Sequence, residues 1–371
     1  MQVNDSSTPP EGNFSLSNNV HSQECIADLV ASGREYFRNG EYILSATNFE
    51  NALSAAIDLY GSSNDETAEI HRNLASAYMM QGNYDAAGPH FYESLQIAEE
   101  LSLKENNQGS ALLMRAVGAL ATFLLNRNAL DDAEPFCIRC LLLAENAYGM
   151  DHHKLVEPLR AIAHLREKQG KFEDAANHLK RAFIIVSNIR GLVHQESQRL
   201  LDALLRIFNL CGDLKSAETY AILNLESWKE FGPSPTDISV ADAKCKLAKL
   251  YLETDRPIKA EALLKDALAI QEDKVGPMHA DVGETLYMLA TCYCKQGRYD
   301  KETENYYHRT LEIFEATYGT ESPQVGVKAV ETVSSNRYQM NSRAPPIPLH
   351  QSRRSSTMDT AKSFYFMLHF W

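Results

Sequence analysis

The sequence predicts an all-α protein, a solenoid of about seven stacked helical hairpins, and three observations support that reading. A turn residue recurs at Gly40, Gly82, Asn128, Gly170, Gly212, Asp255 and Gly297, in steps of 42, 46, 42, 42, 43 and 42 residues. Small and apolar residues stand at fixed distances on both sides of it, three, four and seven apart, the spacing of one helix face. A second stop follows about 21 residues after most of these turns. A lone hairpin cannot bury both of its apolar faces, so units repeating at this period must stack on one another.

Taken in order, residues 1–21 are rich in Ser, Asn and Pro and lack periodicity, which predicts a disordered segment. The repeats are expected over 22–337. The first helix of each unit is marked seven residues before the turn by Gly33, Ala75, Ala121, Ala163, Leu205, Ala248 or Ala290. Four before the turn stands Tyr36, Tyr78, Leu124, Arg166, Phe208, Tyr251 or Tyr293. The second helix carries pairs such as Ala87 with Phe91, Ala133 with Cys137, Ala175 with Leu179 and Ala260 with Leu264. Small residues let the two backbones approach where the helices cross, and larger ones fill the space beside them. Gly61, Gly149, Gly191, Gly232, Gly276 and Gly319 end the second helices, where a residue of positive φ is expected. The second unit has Leu103 there instead, and the following LSLKENNQGS is the irregular joint. A terminal cap helix is expected at about 322–336, and 338–371 as a flexible tail holding Pro345, Pro346 and Pro348 and ending in the apolar, aromatic FYFMLHFW.

Composition narrows the function. With 49 acidic against 36 basic residues the formal charge is −13, which favours neither nucleic acid nor an anionic membrane as partner. No run of apolar residues is long enough to span a bilayer, and the start lacks a leader pattern, so a cytoplasmic protein is expected. Seven dispersed cysteines suggest free thiols. Cys137 and Cys140 occupy apolar helix positions, as buried small hydrophobes do, and no second pair completes a zinc pattern. Cys292 and Cys294 read the same way, and His152, His153 and His279 fall where capping or solvation explains them. No phosphate loop, nucleophile elbow, zinc-protease or dinucleotide signature is present. A non-enzymatic chain with no cofactor, metal or catalytic residues is the expectation.

The series small residue, aromatic, Gly, aromatic, Ala, aromatic resembles the tetratricopeptide repeat. Its period of 42 residues is similar to the repeats of the kinesin light chain family. The likeness is strongest in VGPMHADVGETLYMLATCYCKQGRYD, from Val275 to Asp300, and in LEIFEATYGTESPQVGV. The resemblance implies a right-handed superhelix that acts as a protein-interaction adaptor or scaffold, holding a partner peptide in its concave groove as light chains hold cargo. Light chains join the motor heavy chain through a long coiled coil before the repeats. The 21 residues here show no heptad seam, so association with a motor heavy chain by that route is not expected.

In arrays of this kind first helices line the concave side. The positions 13, 10, 9, 6, 3 and 2 before each turn then face the groove. Their basic members are Arg34, Arg38, Arg72, Arg115, Arg160, Lys168, Arg199, Arg206, Lys246, Lys249 and Lys295. The acidic ones are Glu69, Glu157, Glu167, Asp202, Asp242, Glu253 and Glu284, a balance of +4 on a chain of −13. Arg and Lys on such a face suit carboxylates, which predicts an extended acidic peptide as ligand. The alternative for each charge is solvation or pairing one turn away, as Glu69 could pair with Arg72. Asn73 stands where light-chain repeats commonly place an Asn that bonds the backbone of a bound peptide. Phe37, Met79, Met80, Leu125 and Tyr287 are apolar candidates for the same groove or for packing between repeats. A second reading is a structural or regulatory subunit of a fixed complex using its convex or edge surface. In the tail, Arg353-Arg354-Ser355-Ser356 resembles a basophilic kinase site, making Ser355 and Ser356 candidates for phosphorylation.

Overall fold

The computed structural model describes residues 23–104 and 111–319. Fourteen α-helices make up the described chain, with no strand among the described residues. They run as seven successive hairpins, α1 (Gln23–Arg38) and α2 (Tyr42–Tyr60), α3 (Asp65–Met80) and α4 (Tyr84–Lys104), α5 (Ala111–Asn126) and α6 (Leu130–Tyr148), α7 (Val156–Lys168) and α8 (Phe172–Arg190), α9 (Gln195–Cys211) and α10 (Leu214–Phe231), α11 (Ile238–Glu253) and α12 (Pro257–Lys274), α13 (Ala280–Lys295) and α14 (Lys301–Tyr318). A 3₁₀ turn, His153–Leu155, leads into α7. The architecture is an all-α repeat solenoid. Residues 1–21, expected to be disordered, most of the irregular joint, the expected cap helix at about 322–336, the expected tail and Ser355 and Ser356 lie outside the described residues.

All seven hairpin turns are built alike. The five glycines and Asn128 and Asp255 have φ between 53 and 82°. In each turn the next residue donates its N–H to the carbonyl five positions back, from Glu41 to Tyr36 at 2.9 Å through Arg298 to Tyr293 at 2.9 Å. This closes the helix end by satisfying a carbonyl that has no partner inside the helix. The residues four before each turn, from Tyr36 to Tyr293, are therefore also the carbonyls that close it. Of the six glycines after second helices, five have φ of 82–89°, but Gly232 has φ −73° and ψ 163°. The expected positive φ is absent there. A Cβ at 232 would lie 2.2 Å from the Trp228 carbonyl oxygen, so a close backbone approach demands the glycine instead.

Within hairpins, small residues meet rings as the spacing predicts. A Cβ on Gly33 would come within 2.7 Å of the Phe49 ring, and one on Gly283 within 2.8 Å of Phe314. Three hairpins repeat one polar crossing: Ser94 Oγ donates to the Ala68 carbonyl (2.8 Å), Cys140 Sγ to that of Met114 (3.7 Å) and Thr310 Oγ1 to that of Gly283 (3.3 Å). Cys140 thus does the work of a hydroxyl between helices. Burial pushes its thiol up to about 12 and that of Cys137 up to about 11, far from a reactive thiolate.

Between hairpins, charged pairs recur in register. Arg139 with Glu99, Arg181 with Glu145, and Arg309 with Glu272 join successive second helices. Glu134 receives Arg166 and Gln169, Glu218 receives Arg256, and Glu261 receives Arg298 and Gln296, each tying one turn to the second helix of the preceding hairpin. The chain divides into two compact units between Ile189 and Arg190. The first unit's core gathers Phe49, Leu74, Phe91, Leu120 and Phe123, all at most 1% exposed, and the second's includes Leu204, Leu286, Tyr293 and Phe314.

Candidate functional site

The two first helices α1 and α3 place the candidate site. Arg34, Phe37 and Arg38 come from the last turns of α1, Arg72, Asn73 and Ser76 from the middle of α3, and Phe49 of α2 reaches in from behind. Together they line one cavity of about 360 Å³. Five of these seven, Arg34, Phe37, Arg38, Arg72 and Asn73, are groove residues expected from the repeat register. Ser76 stands six before Gly82, a position in the same register, so its place was legible. Phe49 had no such signal: it is a core residue, 1% exposed, whose ring also seats Gly33. A second hollow of about 500 Å³ at the first bend, lined by Gly40, Glu41, Tyr42, Ile43, Leu44 and Gln81, brings no cation and no unpaired amide together.

The charges in the first unit are unevenly compensated. Glu69 is bridged by Arg72 at 2.7 Å and by Arg115 at 2.5 Å. Burial would raise the pKa of Glu69, but the hydrogen bonds and charges of the two guanidiniums outweigh it and hold the carboxylate below its ordinary value. Arg72 and Arg115 together therefore retain a single net positive charge. Arg38 donates Nε to the Arg34 carbonyl at 3.3 Å, and among the described residues neither Arg34 nor Arg38 has a carboxylate partner.

Asn73 is 9% exposed. Its Oδ1 accepts from Arg72 Nη2 at 2.9 Å, and its Nδ2 has no partner among the described residues. The orientation is not arbitrary. Turning the amide would set two donors against each other at the guanidinium, so the oxygen stays on Arg72 and the buried N–H groups are the ones left unpaired. A buried donor without a partner costs about 1–3 kcal/mol, which an incoming acceptor would recover. Ser76 donates its hydroxyl to the Arg72 carbonyl at 2.9 Å and keeps its oxygen free to accept.

The remaining groove candidates do not join this cavity. Met80 is exposed, whereas Met79 is half-buried and accepts from Asn126 Nδ2. Leu125, 6% exposed, packs in the core and leaves the groove set. Arg160 is paired with Glu157 at 2.7 Å. In the second unit, Lys246 is held by Asp202 at 2.7 Å and Asp242 at 3.3 Å, while Arg199, Arg206 and Lys249 are exposed. Tyr287 is half-buried with its ring edge-on to Tyr307. For these paired cations the neighbouring-acid alternative holds.

With that geometry in view, the comparisons identify the class. A family model, the tetratricopeptide repeat, matches residues 32–100, 66–126, 110–184 and 239–302, more than half of the chain. The chain belongs to the tetratricopeptide repeat family, a class of protein-interaction scaffolds, which the resemblance in its sequence implied. Its fold is similar to that of BtubC (BKLC) from P. vanneervenii, at 20% identity and a TM-score of 0.46 over 74% of this chain and 98% of that one. It is also similar to aspartyl phosphate phosphatase F from Bacillus subtilis (17%, TM-score 0.49, 80% of this chain and 72% of that one). A kinesin light chain-like repeat protein from Podosopora anserina aligns at 13% identity and a TM-score of 0.37 over 69% and 98%. No curated protein matches. Among the described residues, no helix is long and apolar enough to cross a membrane, and no group of three His, Cys, Asp or Glu is placed to hold a metal.

Proposed function

We propose that this chain is a non-enzymatic adaptor that binds an extended acidic segment of a partner protein along its first helices, with the α1–α3 cavity as the anchoring point. The observation that carries this reading is the convergence of Arg34, Arg38 and the unpartnered Asn73 amide on one hollow. An extended peptide presents unpaired backbone groups and carboxylates, and these are the acceptors such a surface lacks. Ordering a flexible ligand offsets much of the contact energy, so single-peptide affinity is expected to be about micromolar.

The test is a peptide-binding titration on the full chain. Replacing Arg34→Glu together with Arg72→Glu should weaken an acidic peptide at least about tenfold, and affinity should fall with added salt because the site is open to solvent. Binding unaffected by both changes would remove the electrostatic reading and point to a convex or edge surface.

A further inference from the structure

We infer that the α1–α3 cavity reads a phosphorylated side chain, a phosphoserine or phosphothreonine within the acidic segment, in preference to a carboxylate. This rests on the peptide-binding reading above and narrows it. Charge balance is the first argument. Arg34 and Arg38 stand one turn apart on α1 with no carboxylate partner among the described residues, and like charges at that spacing repel. A carboxylate brings one negative charge, which leaves one of the two guanidiniums uncompensated. A phosphomonoester brings roughly −1.5 to −2 near neutrality and compensates both.

Donor number is the second. Arg72 is already committed, since its Nη2 serves both Glu69 and Asn73 Oδ1. Its role is to position: it holds the Asn73 oxygen, so that Nδ2 is the atom left to an incoming acceptor. That leaves three donor groups on the lining, the Arg34 guanidinium, the part of Arg38 not bound to the Arg34 carbonyl, and Asn73 Nδ2. Two guanidiniums and an amide carry more N–H donors than one carboxylate can accept, and the three terminal oxygens of a phosphate take up more of them. The rings of Phe37 and Phe49 complete the lining and strengthen each of these bonds by excluding water from one side.

The experiment uses the full chain and three fluorescent peptide pools, identical but for a central Ser, Asp or phosphoserine, with flanking positions degenerate in Asp, Glu and apolar residues. The phosphoserine pool should bind about tenfold more tightly than the Asp pool. Asn73→Ala and Arg34→Gln should each weaken both pools but the phosphoserine pool more, abolishing most of that preference while leaving the helical circular dichroism unchanged. Inorganic phosphate should displace the phosphoserine pool at lower concentration than sulfate or acetate does. Equal affinity for Asp and phosphoserine overturns this inference and leaves the acidic-peptide reading standing. Binding of no pool overturns both. A preference that survives both substitutions places phosphate recognition elsewhere and overturns the inference too.

Discussion

Single residues in this chain carry roles that their types alone do not announce. His71 on α3 and His90 on α4 face each other with Nδ1 atoms 2.9 Å apart, and Tyr78 stacks on His90. Only one proton fits between two such nitrogens, so the pair is stable when at least one ring is neutral. Burial first, and then the neighbouring His90, hold His71 down at about 4; burial lowers His90 against the opposing pull of Glu50 and Glu93. Both groups bind protons less readily folded than unfolded. Their contribution is therefore present above the ordinary histidine range and is lost as pH falls from there toward about 4. Allowing for their partial exposure, stability should drop by about 1–2 kcal/mol on going from about pH 7 to about pH 5, and His71→Gln should flatten that dependence in denaturant titrations. An unchanged slope in the variant would assign acid sensitivity to other groups.

At the scale of elements, the first and seventh hairpins each hold one tight crossing. Gly33→Ala and Gly283→Ala would push a methyl group into the faces of Phe49 and Phe314, each buried at 1–2% exposure with little room to shift. Each substitution should cost about 1–3 kcal/mol, read as a fall in denaturation midpoint at constant slope. Gly33→Ala should also weaken peptide binding, because Phe49 lines the cavity, whereas Gly283→Ala should leave it intact. The turns carry a different demand. Asn128 and Asp255 adopt left-handed backbone where five other units use glycine, and their short polar side chains tolerate that conformation better than others would.

For the whole molecule, energy is shared between neighbours rather than through one centre, as in any array whose units touch only adjacent units. The recurring Arg–Glu pairs, such as Arg181 with Glu145 and Arg309 with Glu272, belong to that nearest-neighbour coupling. Gly283→Ala should accordingly speed hydrogen exchange in α12, α13 and α14 and leave α1–α4 protected as before. Uniform acceleration along the chain would instead mean that the array unfolds as one cooperative block.

The repeat, its turns and the small-against-large crossings could be read from the linear sequence, because each is a local demand at a fixed spacing: a left-handed turn needs Gly, Asn or Asp, and a close crossing needs a missing side chain. Most of the lining of the cavity was legible for the same reason, since Arg34, Phe37, Arg38, Arg72 and Asn73 share the register of first helices. Spacing could not say which cations are cancelled. That was settled when folding brought Arg115 onto Glu69 and Asp202 onto Lys246 across more than forty residues while leaving Arg34 and Arg38 without an acid. Nor could it show that Arg72 would turn the Asn73 amide, or that Phe49 would close the back of the hollow. Compensation depends on distances of a few ångströms between helices, and only the packed structure sets those.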